Sequence, residues 1–275
     1  LTALKFEVYK DKQKLINGLK NRIRQDLNRL KGGFVGSTIM NCVLAENGMI
    51  EEAYDFLFYE GFPGWLYAVN LGATTIWERW NSVLPDGLLS GTEMNSLNHY
   101  SYGSIAEFLY RYAAGITPLE PGFKKVRIAP YPEIRLGHME CSYDSVNGTY
   151  VSNWEIQKDG TLHFHFEIPL GCNAEVLLPE QETKLLTAGS YDYRIHTQKD
   201  YRTLYSADTP YERLFQDPKA VEIIKKYVPE IYSDTDRQDT EAMSKGLNNS
   251  RFRAALFQQP TEDYDKAIEE ISRIR

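Results

Sequence analysis

The spacing of apolar positions divides the chain into a helical part, a strand-rich part and a second helical part. Residues 4–31 have apolar side chains at every third or fourth position, which predicts one long helix ending at Gly32 and Gly33. Its apolar positions are Leu15, Leu19, Ile23, Leu27 and Leu30. Shorter helices are predicted over residues 37–44 (capped near Ser37), 50–59 and 65–70, and a further amphipathic helix over 98–115.

The pattern changes after a stretch that contains Pro118 and Pro121, and we place a domain boundary at about residues 117–122. From residue 126 to about 195, apolar and polar residues alternate, which predicts a small antiparallel β-sandwich. The apolar positions of this alternation include Trp154, Ile156, Leu162, Phe164, Phe166 and Ile168. Asn147-Gly148 and Asp159-Gly160 are typical of hairpin turns.

The last part of the chain is charged and predicted to be helical. Helices are expected over residues 217–227, 250–257 and 261–274. Asp217 suits the cap of the first helix, with Pro218 at its first position, and Thr261 suits the cap of the third. No chemical motif occurs here, so we expect this part to pack against the rest of the protein or a neighbouring subunit.

Composition and charge narrow the classes of partner. The 275 residues have a net charge of −7, so a nucleic-acid partner is not expected. No apolar run approaches the ~20 residues of a membrane span. Cys42, Cys141 and Cys172 lie far apart, and we expect reduced thiols in a cytoplasmic protein. No metal site is predicted, because His163 and His165 have no third ligand nearby in sequence and are expected to face solvent.

Aromatic and charged side chains are dense in the second half of the first helical part. Trp77 and Trp80 flank Glu78 and Arg79, and His99 follows after a long polar loop. In a helical turn, the two tryptophans would share a face. Indole rings pack on the CH-rich face of a sugar, and charged groups bind its hydroxyls, so these residue types suit a sugar pocket. On residue types alone, however, a helix start with a surface ion pair and two core tryptophans is the favoured explanation.

Four sequence blocks resemble the second half of the catalytic barrel of the bacterial α-L-rhamnosidases, a family of inverting glycoside hydrolases with an (α/α)6 barrel. The blocks are residues 33–36, 61–66, 72–80 and 98–105. They occur in the order found in the family, which makes the resemblance specific. We therefore expect a partial (α/α)6 toroid over residues 1–117, a β-sandwich over 118–196 and a helical tail over 197–275, with no cofactor.

The resemblance also implies roles for individual residues. Glu78 matches the general base, which deprotonates the attacking water, and a carboxylate partly shielded by two indoles suits that role. His99 matches a residue that contacts bound rhamnose, although a buried histidine at a helix cap is the alternative. Trp77 and Trp80 are expected to pack or stack at the pocket, and Arg79 is expected to pair structurally.

Half of the family's barrel has no counterpart in this sequence. Inversion needs two carboxyl groups about 6.5–9.5 Å apart, and the family's general acid lies in the half without a counterpart. The remaining carboxylates, Glu51, Glu52, Glu60 and Glu93, match no acid motif. We therefore expect a C-terminal fragment of an enzyme for rhamnosyl glycosides, inactive alone, with a homodimer covering its open face. A non-catalytic sugar-binding or assembly module and another toroid glycosidase or lyase remain open alternatives.

Overall fold

The computed structural model describes residues 1–26, 30–205, 209, 214–215, 217–229 and 261–274. The chain divides into two compact units, each of which combines separate stretches. The first unit comprises Leu1–Glu133, His138–Glu155 and Leu162–Ile195, and the second comprises Ile134–Gly137, Ile156–Thr161 and His196–Arg275. The described residues form a mixed α and β structure. The predicted domain limits at residues 117 and 196 stay predictions.

The first unit begins with two separate helices, α1 (Thr2–Lys5) and α2 (Lys12–Gln25). The single helix predicted over residues 4–31 is therefore wrong. Glu7 between them has a φ of +56°, which an α-helix cannot accommodate. The Asp11 carboxylate then accepts the N–H of Lys14 at 2.9 Å and caps α2. Apolar periodicity identified the buried face but not the break, and position 27 of that pattern lies outside the described residues.

Three helices follow: α3 (Phe34–Glu46), α4 (Ile50–Phe58) and α5 (Trp65–Asn70). The helices predicted over residues 50–59 and 65–70 are confirmed, but the one over 37–44 is longer than predicted. Ser37 is not its cap, because it lies inside α3 and its hydroxyl donates to the carbonyl of Gly32 at 2.9 Å. Buried Asn41 donates to the carbonyl of Ala53 at 2.7 Å and so joins α3 to α4.

The helix predicted over residues 98–115 exists but is shorter and changes type along its length. It comprises a 3₁₀ turn (Ser101–Ser104), α6 (Ile105–Phe108) and a π turn (Leu109–Ala113). We call residues 101–113 the composite helix. Gly115, with a φ of +85°, follows it in the left-handed conformation that glycine tolerates. Residues 71–100, before the composite helix, contain no helix.

The strands of the described residues form one sheet. They are β1 (Ile116–Pro118), β2 (Lys125–Ile128), β3 (His138–Met139), β4 (Ser142–Ser145), β5 (Gly148–Ile156), β6 (Leu162–Val176) and β7 (Lys184–Ile195). Their order is β1-β2-β6-β5-β3, with β4 also paired to β5 and β7 to β6. The expectation of a purely antiparallel arrangement is wrong at β2 and β6, which are parallel. The sandwich arrangement itself stays a prediction.

Alternation along the strands places one face of the sheet in the core, as predicted. Tyr150, Ser152 and Trp154 of β5 are buried, as are the four predicted apolar positions of β6. Those positions are Leu162, Phe164, Phe166 and Ile168. The hairpin between β4 and β5 is confirmed one position earlier than predicted, because Gly148 already pairs with Ser145.

The second unit contains α7 (Pro218–Tyr227) and α8 (Thr261–Ile271), both close to their predicted limits. Asp217 caps α7 as predicted, since its carboxylate accepts the N–H of Lys219 at 2.9 Å. Apolar faces of the two helices share a core, and Lys226 pairs with Glu270 at 3.1 Å. The helix predicted over residues 250–257 lies outside the described residues.

Candidate functional site

The chain on either side of the long loop returns to lie beside itself. The N–H of Glu78 donates to the carbonyl of Ser96 at 2.8 Å, and the N–H of His99 donates to the carbonyl of Ile76 at 2.7 Å. We call residues 76–78 and 96–99, which these bonds join, the paired segments. These hydrogen bonds between distant positions replace the local ones of a helix, so the helical turn considered for the two tryptophans is wrong. The same backbone pairing therefore contains Glu78 and His99, both of which are predicted site residues.

Glu78 is half-buried in the paired segments. Its Oε2 atom accepts the N–H of Ser96 at 2.7 Å. Within the described part of the chain, Oε1 has no hydrogen-bond partner and the carboxylate forms no ion pair. One oxygen therefore fixes the orientation of the group, and the other is available as a hydrogen-bond acceptor.

Arg79 organises the loop that separates the paired segments. Its Nε donates to the carbonyl of Met94 at 2.9 Å, its Nη1 to that of Ser90 at 3.3 Å, and its Nη2 to that of Glu93. Asn95 closes the same loop by donating from Nδ2 to two further carbonyls. The predicted structural role of Arg79 is confirmed, since its partners are backbone groups rather than the adjacent carboxylate.

The two predicted tryptophans pack within the protein. Trp77 is buried, with 6% of its surface exposed. Trp80 is half-buried, its ring stacked on Tyr102 with centroids 3.7 Å apart and meeting the Trp65 ring edge-on at 5.0 Å. The Trp65 Nε1 donates to the carbonyl of Tyr102 at 2.9 Å, which ties this aromatic cluster to the start of the composite helix. Contact of either tryptophan with a sugar stays a prediction.

His99 lies between two aromatic rings. It stacks on Phe34, with centroids 5.2 Å apart, and on Tyr100, with centroids 5.0 Å apart. Its Nδ1 lies 3.3 Å from the N–H of Ser101, at the start of the composite helix, and accepts from it. In the tautomer that this bond requires, Nε2 carries the hydrogen and can donate to another group. The helix-cap and ligand-contact alternatives are thus compatible, because each uses a different ring nitrogen.

Sequence reasoning assigned no role to Phe34 and Tyr100, the rings on either side of His99. Both occur in the blocks that carry the family resemblance, which was the available signal. Tyr100 is 85% exposed although it stacks on His99, so its other face is open to solvent. Phe34 could not be placed beside His99 from spacing alone, since it lies at the start of α3, 65 positions earlier in the chain.

The other acidic candidates differ in environment. Burial raises the pKa of Glu52 in α4, the direction that suits a proton donor. Glu93 contributes its backbone carbonyl to Arg79. The paired segments contain none of the carboxylates of Glu51, Glu52 and Glu60. The structure therefore gives no reason to choose one of them as the partner acid of Glu78.

Polar clusters elsewhere in the first unit have structural explanations. His163 Nε2 and His165 Nδ1 each lie 3.2 Å from Asp192 Oδ1 on the neighbouring strand. No group of three metal-ligating side chains suited to an ion occurs among the described residues. The side chains of His163 and His165 are 28% and 31% exposed, so they lie at the surface as predicted.

The three cysteines carry free thiols, and burial raises the pKa of the Cys42 thiol to about 12. This agrees with the predicted reduced state. No described helix combines the length and apolar character that a membrane crossing requires. The cellular location stays a prediction.

Two family models match the chain in succession. The bacterial α-L-rhamnosidase 6 hairpin glycosidase domain matches residues 1–113, which contain the paired segments and the composite helix. The bacterial α-L-rhamnosidase C-terminal domain matches residues 115–191, which contain most of the sheet. The chain belongs to the bacterial α-L-rhamnosidase family. The predicted family is therefore confirmed over both of these stretches.

Individual rhamnosidases resemble the chain over most of its length. An α-L-rhamnosidase of Formosa agariphila is 37% identical over 195 residues, covering 70% of this chain and 21% of the relative. An α-L-rhamnosidase of an Alteromonas species is 36% identical over 181 residues, covering 60% of this chain and 20% of the relative. The chain thus spans about a fifth of the length of these curated relatives.

Solved rhamnosidase structures share the fold. The native α-L-rhamnosidase of Aspergillus terreus superposes with a TM-score of 0.68 at 28% identity, covering 72% of this chain and 23% of that one. The Streptomyces avermitilis α-L-rhamnosidase complexed with L-rhamnose superposes with a TM-score of 0.61 at 31% identity, covering 65% and 19%. The mixed α and β architecture is therefore that of rhamnosidases.

Proposed function

We propose that this chain is the base-bearing part of an α-L-rhamnosidase that removes terminal α-L-rhamnose from glycosides with inversion. The observation that carries the proposal is the carboxylate of Glu78, held through one oxygen by the Ser96 N–H while the other oxygen has no partner among the described residues. A general base needs this combination of fixed orientation and a free lone pair. The names of the relatives supply the reaction class.

The chemistry assigned to Glu78 is removal of a proton from water as that water attacks the anomeric carbon. In an inverting enzyme, the second carboxyl group stands about 6.5–9.5 Å away and protonates the leaving oxygen. The chain spans only about a fifth of its relatives, so we place that acid in the remainder of the complete domain. The isolated chain is then expected to be inactive.

His99 serves as a hydrogen-bond donor to a rhamnose hydroxyl in this proposal. Its Nδ1 is occupied by the Ser101 N–H, which leaves Nε2–H for the sugar. Stacking on Phe34 and Tyr100 fixes the plane of the ring. Trp80 stabilises the site indirectly, because its ring stacks on Tyr102 at the start of the composite helix.

The helical part is proposed to be half of an (α/α)6 toroid whose open face needs cover. Exposed apolar side chains are frequent in this part of the described chain, and Val8, Val35, Leu88, Met94 and Tyr100 are examples. Half of a toroid would also expose apolar positions that the other half covers, and a large contiguous apolar surface is rarely left in water. A homodimer of the isolated chain would bury it, and a monomer mass by light scattering would contradict this part of the proposal.

The test is Glu78→Gln in the complete protein that contains this chain, assayed on an aryl α-L-rhamnoside. Loss of the base should lower kcat by about 10²- to 10⁴-fold with little change in KM, because glutamine preserves shape but cannot accept the proton. Glu93→Gln is the matched control, since Glu93 meets Arg79 through its backbone and not its side chain. Full turnover by Glu78→Gln with an intact circular dichroism spectrum would refute the assignment.

A further inference from the structure

The composite helix connects the candidate site to the sheet. At its first turn, the N–H of Ser101 meets His99, and the Tyr102 ring stacks on Trp80. At its last turn, the N–H of Ala114 donates to the carbonyl of Leu109 at 2.8 Å, which closes the wider ring of a π turn. The geometry of the last turn therefore affects where the first turn places Ser101 and Tyr102.

The carbonyls at the end of this helix have no partner inside it. Groups in and near the sheet donate hydrogen bonds to them. The buried Trp154 Nε1 donates to the carbonyl of Ala113 at 2.8 Å, and the buried Ser152 hydroxyl donates to that of Ala114 at 2.6 Å. Both donors come from the same face of β5. The two side chains thus bind two consecutive carbonyls at the end of the helix.

Two backbone groups complete the connection. The N–H of Tyr131 donates to the carbonyl of Tyr112, and the N–H of Ala129 donates to that of Gly115, each at 3.0 Å. With the two β5 donors, four successive carbonyls of the helix end are bound. A Cβ atom on Gly115 would lie 2.3 Å from the backbone nitrogen of Pro130, so the chain leaves the helix through a tight gap.

A π turn is uncommon and persists where its surroundings fix it. It contains one more residue than an α turn between hydrogen-bonded groups. Rewinding it to α geometry would shift the register of the composite helix by one residue, which corresponds to roughly 100° of rotation and 1.5 Å of translation. Tyr102 would then turn away from Trp80. The Ser101 N–H would also lose its alignment with His99, because the N–H of His99 is bound to the carbonyl of Ile76.

We propose that Trp154 and Ser152 are positioning residues for the site: by holding the π turn, they fix the rotation at which the composite helix presents Ser101 to His99 and Tyr102 to Trp80. The consequence for rhamnose binding rests on the proposed function, whereas the positioning of His99 does not. This assigns the sheet a role in shaping the site as well as in stability.

The test uses histidine-labelled chain and follows the imidazole resonances of His99, identified by their loss in His99→Gln. Ring currents of Phe34 and Tyr100 make these resonances sensitive to the placement of the ring. Ser152→Ala and Trp154→Phe should shift them and weaken the affinity for added L-rhamnose by roughly tenfold. Ser152→Ala removes a single oxygen atom, so it serves if Trp154→Phe fails to fold.

Tyr150→Phe is the matched control, because Tyr150 lies on the same buried face of β5 but donates to the carbonyl of Phe123 at 2.6 Å. It loses a comparable hydrogen bond without touching the composite helix. Unchanged His99 resonances in Ser152→Ala, or equal shifts in Tyr150→Phe, would overturn the positioning proposal. A different outcome separates the two proposals. If neither the unmodified chain nor its complete protein binds L-rhamnose, but the His99 resonances shift as expected, the proposed function fails and the positioning proposal stands.

Discussion

The β6–β7 pair and the loop between the paired segments are held in place by different means. Backbone pairing runs along the strands from Leu162 opposite Ile195 to Val176 opposite Lys184. In the site region, single side chains carry much of the connection, as the Arg79 guanidinium does with three carbonyls. A strand ladder shares its stabilisation among many residues, whereas the loop depends on a few. Substitutions should therefore act on overall stability in the sheet and on local order near the site.

The largest effect is expected from a substitution in the sheet core. Phe164 is fully buried, and its ring contacts that of Phe166 with centroids 6.0 Å apart. Phe164→Ala should lower the free energy of unfolding by about 3–5 kcal/mol, because it removes buried apolar surface and leaves a cavity. Urea denaturation measures the change.

Leu170→Ala is the control for that comparison, since Leu170 lies on the same strand with 90% of its surface exposed. Its effect should stay within about 0.5 kcal/mol. If both substitutions lowered the free energy of unfolding by similar amounts, burial of the side chain would not determine the stability of the sheet.

An intermediate effect, confined to the site region, is expected from Arg79→Ala. Removing the side chain of half-buried Arg79 leaves three carbonyls without their donors and should cost roughly 1–2 kcal/mol, because two of these hydrogen bonds are exposed. Amide hydrogen exchange should accelerate over residues 81–96 and stay unchanged in β6 and β7. Mass spectrometry of the exchanged peptides gives this readout.

Arg127→Ala provides the matched arginine on the sheet. The Arg127 side chain is 51% exposed and pairs with Glu175 at 3.4 Å, so its loss should cost no more than about 1 kcal/mol. If exchange over residues 81–96 is as slow in Arg79→Ala as in Arg127→Ala, single side chains do not order the loop.

The smallest effect is expected at the surface cluster of Asp192. Hydrogen bonding to His165, and then to His163, lowers the pKa of the Asp192 carboxyl, with Glu167 also facing His165 and Arg194 opposite His163 across the strands. A carboxyl whose pKa is lower when folded contributes stability above its unfolded pKa of about 3.9, and this is lost as the pH falls through the folded value.

Asp192→Asn should therefore reduce the decline in Tm between pH 5 and pH 3 by about one or two degrees at low salt, since exposed pairs contribute little. Thermal denaturation followed at both pH values checks this. A decline identical to that of the unmodified chain would remove Asp192 from the pH response of the sheet.

Local patterns predicted the regular elements well. Alternation placed Phe164 and Phe166 on the buried face of β6, and Asp217 with Pro218 marked the start of α7. These signals succeed because they depend on neighbours in sequence: a strand repeats every second residue, and a cap acts within one turn. The break at Glu7 escaped prediction because a periodic face can continue across two helices.

The sequence by itself determined the family, most of the succession of helices and strands, and the residues on which the proposed chemistry depends. Only the tertiary structure decided how those residues meet. The pairing of Glu78 with Ser96, the stacking of His99 on Phe34, and the anchoring of the composite helix by Trp154 all join positions from different elements. Their physical reason is the need of buried donors and acceptors for partners, which folding supplies across long sequence separations and which no local pattern records.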